Sequence, residues 1–261
     1  MAIRWRVLAL LFLVRTTMAF QFQAAGALSP AYQDAFAVGI ADIGLLIGLY
    51  MSPGLFLAAP GGALGRRFGD KRVVLAGLAM MAVGGTVMAA SDLWAGRLAG
   101  RLLAGTGGVL LNVLMAKVVT DWFAGKEISF SLAIFVNSWP VGIALALIVL
   151  PLLTEVSGLT TTLSLVAALT MAGFAGLALF YRWPSGVGGE TAAASERVRG
   201  VVLGAVAAAG AIWGLYNMTL AIVFSFGPEL LSTGAWGRSR PDQSRPSSFG
   251  CWRSLDRSPV S

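Results

Sequence analysis

Seven long apolar segments, separated by short polar breaks, constrain the fold of this chain more than any other feature. A helix crosses a hydrocarbon core of about 30 Å with about 20 mainly apolar residues, and each segment is long enough to do so. The segments are approximately 5–25, 40–61, 73–91, 98–119, 130–152, 159–181 and 201–224. None shows sustained period-two alternation, so helices fit and a β-barrel does not. The sequence therefore predicts an all-α integral membrane protein with about seven transmembrane helices.

Composition narrows the function classes. The chain is 57% hydrophobic and 12% charged, it has no His, and its single cysteine is Cys251. Soluble domains are about 45–50% apolar. Without His, and with no Cys spacing typical of zinc, we expect no metal, no cofactor and no catalytic residue. An enzyme acting inside the membrane would need a nucleophile with a base, or metal ligands, at mid-depth, and the segments supply neither.

Basic residues alternate between breaks and predict the orientation. The net charge is +7, but the cations lie in short breaks between apolar runs, which favours membrane topology and the lipid bilayer as partner over nucleic acid. Cations precede the first segment and occupy every second break: Arg4 and Arg6; Arg66, Arg67, Lys71 and Arg72; Lys126, with Lys117 close by; Arg182, Arg197 and Arg199. The break 29–39 has none, and the third-to-fourth break has only the borderline Arg97. By the positive-inside rule, the amino terminus is cytoplasmic in a multi-pass protein of the inner or plasma membrane.

The first segment has an alternative interpretation as a cleavable signal peptide. Arg4 and Arg6 precede the apolar stretch Val7–Val14, and Thr17-Met18-Ala19 is similar to a small-residue cleavage site. Arg15 interrupts the segment just before that site and apolar residues continue to Leu28, so an uncleaved helix is favoured.

Glycine and proline spacing indicates close helix packing and bends. Three small-xxx-small pairs would let helix backbones approach closely in lipid: Gly44 and Gly48, Gly96 and Gly100, Gly210 and Gly214. Prolines recur in the second and fifth segments, at Pro53 and Pro60 and at Pro140 and Pro151. Proline at these depths breaks the backbone ladder and predicts bends in both helices.

The basic stretch between the second and third segments, GGALGRRFGDKRVVL, resembles the signature loop of the major facilitator superfamily, in outline G-x-L-x-D-R-x-G-R-[RK]. The matching residues are Gly62, Leu64, Arg67, Gly69 and Lys71. Arg66 stands at the usual Asp position, and Asp70 falls where a cation is common. The resemblance implies a charge relay with neighbouring helix ends that holds one conformation of the rocking cycle. The substituted acid predicts an altered relay that uses Asp70 or Asp121 instead.

A second stretch, Arg101-Leu-Leu-Ala-Gly105-Thr-Gly107-Gly108, is similar to the family's R-x-x-x-G-x-G-[AG] pattern in the fourth helix. This resemblance implies a gating or proton-coupling role for Arg101. The fifth segment lacks the family's antiporter-type Gly-Pro pattern and has Asn137-Ser-Trp-Pro140-Val-Gly142 instead. With Gly105–Gly108 and Trp139-Pro140, the chain is similar to the nitrate- and cyanate-permease-like branches.

The resemblance implies an architecture of twelve helices in two halves, each made of inverted three-helix repeats, with the substrate site near the midplane between the halves. On this basis we expect a six-helix amino-terminal bundle at 1–182, a cytoplasmic linker at 183–199, a seventh helix at 200–231 and an Arg/Ser/Pro-rich tail at 232–261. The second half would then be incomplete, so transport would require a carboxy-terminal half or a second copy. The tail is interpreted as the product of a shifted reading frame, or alternatively as a disordered extension.

The candidate solute-binding residues are polar side chains within the spans: Arg15, Gln23, Asn112, Asn137 and Asn217. Arg15, Thr16, Ala19 and Gln23 share one side of a helix at 100° per residue. An arginine at mid-depth costs about 2.5–3.5 kcal/mol on insertion scales, so it must face a cavity or a partner. A guanidinium can grip a carboxylate or an inorganic oxyanion with two bonds, and the alternative is a bond to backbone carbonyls or to amides of neighbouring helices. Each asparagine is equally consistent with a helix–helix hydrogen bond.

The sequence thus predicts a secondary transporter of a small solute, with an anion favoured by Arg15, that works by alternating access. The competing hypothesis is a degenerate membrane protein that does not transport.

Overall fold

The computed structural model describes residues 3–125, 127–181 and 200–232, which form helices joined by short turns. The helices are α1 Ile3–Ala27, α2 Ser29–Phe36, α3 Ile40–Met51, α4 Pro53–Phe68, α5 Asp70–Ala90, α6 Trp94–Trp122, α7 Ile128–Ser157, α8 Leu159–Phe180 and α9 Val201–Ser232. The expected linker 183–199, the tail from residue 233, Lys126 and Cys251 lie outside the described residues.

The prediction of seven membrane-length helices is confirmed. Within the described residues, seven stretches are long and apolar enough to cross a membrane: Ile3–Ala27, Ile40–Ala58, Asp70–Ala90, Trp94–Trp122, Ile128–Ser157, Leu159–Phe180 and Ala207–Phe224. Most of these helices extend beyond the apolar segments because polar and charged residues continue the helix past the apolar core.

The second span is interrupted at Ser52, where α3 gives way to α4. Pro53 has no backbone N–H, so it cannot donate to the Leu49 carbonyl one turn earlier. The Ser52 hydroxyl donates to that carbonyl instead, at 3.1 Å. The backbone ladder therefore lacks one bond at Pro53, although Ser52 itself keeps helical angles at φ −56° and ψ −37°. Pro60, Pro140 and Pro151 lie inside helices.

Helix α2 lies in the break 29–39, for which the sequence analysis assigned no helix. Pro30 stands in its first turn, where a missing N–H costs nothing. Tyr32 is fully buried, so one face of this short helix is anchored to the bundle. Its end, Ala37, adopts a left-handed conformation at φ 51°. Next, α3 begins with the Gly39 N–H donating to the Asp42 carboxylate at 2.9 Å.

The packing of helices follows the expected inverted repeat. The first repeat is α1, α3–α4 and α5, and the second is α6, α7 and α8. The first helix of each repeat packs against the second helix of the other repeat: α1 packs against α7, and α6 packs against α3 and α4. The α5–α6 contact corresponds to the α8–α1 contact, and α5 packs on α8. Exchanging the repeats reproduces these contacts, as an internal two-fold relation requires.

Glycines allow α5 and α6 to touch along their backbones. A Cβ added at Gly84 would lie 2.5 Å from the Gly100 carbonyl oxygen, and one added at Gly77 would lie 2.8 Å from that of Gly107. Of the expected pairs, Gly100 takes part in this contact, while Gly48, Gly210 and Gly214 have nothing within 4 Å of such a Cβ. The close helix pair is thus made by glycines facing each other on two helices.

We expect Gly84→Val to destabilise the bundle by about 1–3 kcal/mol, the range for overpacking, because its side chain meets backbone that cannot move aside. The apparent Tm of the detergent-solubilised protein, followed by size-exclusion fluorescence, measures this. The matched control is Gly48→Val, which places the same side chain in open space. Equal Tm losses in the two variants would contradict the role of the glycine contact.

The predicted orientation can be mapped with an impermeant maleimide in intact cells of a Cys251→Ser background. Asp34→Cys on α2 and Arg67→Cys at the end of α4 occupy opposite ends of the bundle, and both residues are exposed. We expect labelling at position 34 and none at position 67 until the cells are opened, because cations favour the cytoplasmic side. The reverse pattern would overturn the orientation.

Candidate functional site

Arg15 lies on the side of α1 that faces α7. Its Nη1 donates to the Phe135 carbonyl at 3.0 Å, and its guanidinium carbon is 4.5 Å from the Phe135 ring centroid and 5.9 Å from that of Trp139. The residue is 9% exposed, and its Nε is buried without a hydrogen-bond partner. The expected contact with a backbone carbonyl is therefore present, yet it leaves donors of the guanidinium uncommitted.

Arg101 is fully buried between α1, α3 and α6. Its Nε donates to the Leu46 carbonyl at 3.1 Å, and Nη1 and Nη2 donate to the Gln21 and Phe22 carbonyls, each at 2.6 Å. The Tyr50 ring centroid is 4.5 Å from its guanidinium carbon. Each guanidinium nitrogen is thus bonded to the backbone, so Arg101 fixes three helices to one another. The gating or coupling role implied by the resemblance stays a prediction.

An aromatic cluster connects the two arginines. The Phe22 ring lies 5.4 Å from that of Tyr50 and 5.2 Å from that of Trp139. Tyr50 and Phe22 are buried, and the Tyr50 hydroxyl has no hydrogen-bond partner. We call Arg15, Phe22, Tyr50, Phe135 and Trp139 the central cluster. It joins α1, α3 and α7 beside α6 and combines a positive charge with flat apolar walls.

Gln23 joins α1 to α9. Its Nε2 donates to the Phe224 carbonyl at 2.9 Å, and the side chain is 1% exposed. Its Oε1 is buried without a partner. Gln23 therefore contacts the seventh span through the amide nitrogen and retains an unused acceptor. Asn217, on α9, is half-buried.

Asn112 and Asn137 are exposed rather than buried between helices. The Asn137 Nδ2 donates to the Ala133 carbonyl of its own helix at 2.8 Å, which satisfies the amide locally. Asn112 lies on an exposed side of α6. The structure therefore brings neither asparagine into the central cluster, and their contact with solute remains a prediction.

The opposite end of the site is an ion pair beneath the signature loop. Asp70 begins α5 directly after Gly69, whose φ is +87°, a value that glycine adopts without strain. The Asp70 Oδ2 accepts from the Lys117 Nζ of α6 at 2.6 Å. The Asp70 side chain is 5% exposed and that of Lys117 is 40% exposed. A Cβ at Gly65 would collide with the Asp70 carboxylate, so glycine at that position leaves room for the buried acid.

Lys71 and Tyr181 extend this ion pair to α8. The Lys71 Nζ donates to the Tyr181 carbonyl at 2.7 Å, and the Trp122 Nε1 donates to the Tyr181 hydroxyl at 3.2 Å. Burial raises the pKa of Tyr181 to about 12, against the opposing effect of the Trp122 hydrogen bond. Arg4, on α1, bridges Glu127 before α7 at 2.9 Å. All these contacts join helix ends that the charge pattern assigned to the cytoplasmic side.

The other loop residues surround this ion pair. Leu64 packs against the apolar core. Gly62 is half-buried, and Arg66 and Arg67 are exposed, with the Arg67 guanidinium carbon 5.3 Å from the Phe68 ring centroid. Arg66, at the family's Asp position, therefore projects outward while Asp70 is the acid that bonds to the fourth span.

Sequence reasoning missed Lys117 as the partner of Asp70, and it missed the aromatic members of the central cluster. The available signal for Lys117 was a lysine near the end of the fourth segment, which the predicted topology places on the same side of the membrane as Asp70, the acid of the signature loop. No sequence signal separates Tyr50 or Phe135 from other aromatic residues of the spans. Among the described residues, no group of three or more His, Cys, Asp or Glu side chains could hold a metal ion.

Comparison with known proteins agrees with this geometry. The family model described as Major Facilitator Superfamily matches residues 11–237. The chain belongs to this superfamily. It is thus a multi-pass membrane protein of a transporter family, and the resemblance found in the sequence is confirmed at that level.

Two relatives are similar over about half of the chain. The inner membrane transport protein YajR of Escherichia coli (strain K12) is 29% identical over 133 residues, covering 51% of this chain and 29% of that protein. Protein spinster homolog 3 of Danio rerio is 29% identical over 129 residues, covering 48% of this chain and 26% of that protein. The matched region is thus less than a third of each relative's length.

Solved structures share the fold. A POT family transporter in complex with a thioalcohol conjugated peptide superposes with a TM-score of 0.59 at 18% identity, covering 88% of this chain and 51% of that one. Another, in complex with 5-aminolevulinic acid, gives 0.57 at 18% identity, covering 67% and 38%. The chain spans about half the length of the first of these transporters.

The Asp70–Lys117 pair predicts an asymmetric effect of mutation. We expect Lys117→Met to lower the Tm more than Asp70→Asn does, because it leaves a buried carboxylate without its cation, a change that costs about 3–5 kcal/mol. Asp70→Asn leaves a lysine that is 40% exposed and can be hydrated. Thermal unfolding of both variants, the double variant and the exposed control Arg66→Gln measures this. A double variant less stable than Lys117→Met alone would contradict the proposed energetics.

Proposed function

We propose that this chain is a major facilitator superfamily transporter lobe that binds a small anionic solute at the central cluster and moves it by alternating access. The observation that carries the proposal is Arg15, a mid-helix arginine with Nε unpartnered and buried. It lies between two aromatic rings at the side of α1 where the central cluster forms.

The charge of Arg15 supports an anion as the solute. No salt bridge to Arg15 exists among the described residues, so its charge is offset only by the Phe135 carbonyl and by cation–π contacts. Cation–π contacts contribute about 0.5–2 kcal/mol, which is less than the several kcal/mol lost on removing an ion from water. A carboxylate or a small oxyanion would supply both the missing charge and the missing acceptors.

The aromatic members favour a small solute with a flat or apolar part. Phe135 and Trp139 present ring surfaces beside Arg15. The Tyr50 hydroxyl on α3 is an unused donor, and the Gln23 Oε1 on α1 is an unused acceptor. Small-molecule sites are mostly apolar, with a few polar groups that fix orientation. The solved relatives hold ligands with carboxyl or peptide groups, which is consistent with recognition by a cation.

The ion pair at the cytoplasmic end supports the conformational half of the proposal. Asp70 and Lys117 join the two repeats at α5 and α6, and Lys71 joins α5 to the end of α8. In this chain we infer that Asp70 replaces the usual acid of the signature loop and stabilises one state of the cycle. Its buried carboxylate makes the contact strong enough to bias the equilibrium, because an unpaired charge there is costly.

Further elements of the hypothesis concern the whole transporter. We place it in the inner or plasma membrane, as for the relative YajR. Its anion preference agrees with membership of a nitrate- or cyanate-permease-like branch. Alternating access requires a second lobe, so a carboxy-terminal half or a second copy would complete the cavity.

The test measures anion binding to the purified chain in lipid nanodiscs by isothermal titration calorimetry, with nitrate, acetate and succinate as probes. We expect Arg15→Gln to weaken binding at least tenfold, which corresponds to about 1.4 kcal/mol, and Arg15→Lys to have an intermediate effect, because it keeps the charge and loses the planar fork. Arg6→Gln on the exposed face of the same helix is the control. Equal affinity of Arg15→Gln and the unmodified chain would refute the site.

Uptake into proteoliposomes distinguishes transport from binding alone. Arg15-dependent accumulation of the same anions supports the transporter. Binding without uptake by the chain alone favours the competing hypothesis of a non-transporting membrane protein, and uptake restored by a co-reconstituted second lobe would instead identify the missing partner.

A further inference from the structure

A second cluster of unpartnered donors lies at the outer end of the bundle, apart from the central cluster. Arg97, near the start of α6, is 2% exposed, and its Nε and Nη1 are buried without hydrogen-bond partners. Tyr32, on α2, is fully buried, and its hydroxyl is also unpartnered. Three polar groups with hydrogens to donate are therefore enclosed at one place, where the Tyr32 oxygen is the neighbouring acceptor for the Arg97 guanidinium and no other acceptor meets them.

Aromatic rings from two helices surround these donors. The Arg97 guanidinium carbon lies 4.9 Å from the Phe36 ring centroid and 5.9 Å from that of Tyr32. The Trp94 ring is 6.2 Å from Tyr32 and 5.7 Å from Phe36. We call Tyr32, Phe36, Trp94 and Arg97 the outer cage. Its rings hold the guanidinium by cation–π contact, but a ring face is a weak acceptor and leaves the two N–H groups unsatisfied.

The charges around the cage leave Arg97 in excess. Asp92 is the acid whose charge acts on Arg97, but Asp92 is exposed, and no ion pair joins the two among the described residues. Arg101, one turn further along α6, adds positive charge, and each of its guanidinium nitrogens is bonded to a backbone carbonyl. Burial raises the pKa of Tyr32 to about 12, with Arg97 opposing the shift, so its hydroxyl keeps the proton that it can donate.

We propose that the outer cage is a binding site for a small oxyanion, a carboxylate or a phosphate, held by Arg97 Nε and Nη1 and by the Tyr32 hydroxyl. A charged oxygen acceptor satisfies all three donors and neutralises the buried cation, as buried charges require. The site does not depend on the central cluster, and it stands whether or not the central cluster binds an anion.

Entry to the cage requires a displacement of α2. This helix has eight residues and is joined to α3 through Ala37, in a left-handed conformation, and Gly39. Tyr32 and Phe36 are both on α2, so a small movement of this one element opens one wall of the cage while Arg97 stays fixed on α6. An occupied cage would in turn hold α2 against the bundle, so the bound anion raises the stability of the outer end.

The experiment uses the full chain carrying Arg15→Gln in dodecyl maltoside, so that the central cluster contributes no anion binding. The apparent Tm is measured against increasing sodium acetate or sodium phosphate, with sodium chloride at equal ionic strength as reference. A parallel arm adds phosphatidylglycerol to the micelles, because a lipid headgroup carries the same phosphate chemistry. We expect a saturable rise in Tm with at least one oxyanion source and no saturable rise with chloride. The arm that saturates identifies the source.

Three variants separate the site from a general salt effect. Tyr32→Phe keeps the packed ring and removes only the hydroxyl, and we expect it to raise the half-saturating concentration at least threefold. Arg97→Gln should abolish saturation, and Asp92→Asn should lower the half-saturating concentration because it removes a competing negative charge. Arg66→Gln, on the exposed signature loop, is the control and should match the parent.

The inference is overturned if the parent shows no saturable rise in any arm, or if Tyr32→Phe and the parent have the same half-saturating concentration. Tyr32→Phe decides the matter even if Arg97→Gln fails to fold. Because Arg15 is already substituted, failure of the outer cage leaves the proposal for the central cluster intact, and failure of the central cluster leaves this result intact.

Discussion

The bond between the Arg101 guanidinium and three backbone carbonyls is the contact on which the bundle depends. In a membrane the hydrophobic effect does not bring helices together, because the lipid around them is equally apolar. Helices are therefore joined by close packing and polar contacts. Fully buried Arg101 provides the polar contacts: it joins α6 to α1 at Gln21 and Phe22 and to α3 at Leu46. The facing glycines of α5 and α6 provide the close packing. Between them, these two contacts fix α1, α3, α5 and α6 and leave α7 to complete the central cluster.

The spans could be predicted from the sequence because they follow from a local rule, whereas the repeat and the loop were predicted from the family resemblance. Length and hydropathy give the seven helices, prolines mark the second and fifth spans, and glycine spacing identifies Gly100. Helix α2 was missed because eight residues with Pro30 in the first turn have no apolar run of membrane length. The break at Ser52 was expected only as a bend, since the hydroxyl that compensates for Pro53 depends on its rotamer rather than on composition.

In the candidate site, too, some residues could be identified from the sequence and their partners could not. Arg15 stood out because a cation inside a span is expensive, and Asp70 because it replaced a cation in a recognisable loop. Their partners could not be found in this way. Phe135 contributes a carbonyl that every residue has, and Lys117 becomes the partner of Asp70 only because the turn at Gly69 brings α5 beside the end of α6. Asn112 and Asn137 were chosen for polarity alone, and the side of the helix on which they lie is set by packing.

At the start of α4 the Ser52 hydroxyl makes the hydrogen bond to Leu49 that the Pro53 nitrogen cannot make. This gives the second span a point at which it can bend. A helix that lacks one backbone hydrogen bond bends there without breaking another. On one side of this point, α3 is bonded to Arg101 through the Leu46 carbonyl. On the other side, α4 leads into the signature loop, where Asp70 pairs with Lys117. Tyr50 of the central cluster stands one residue before the end of α3, so this bending point lies directly beside one wall of the cluster.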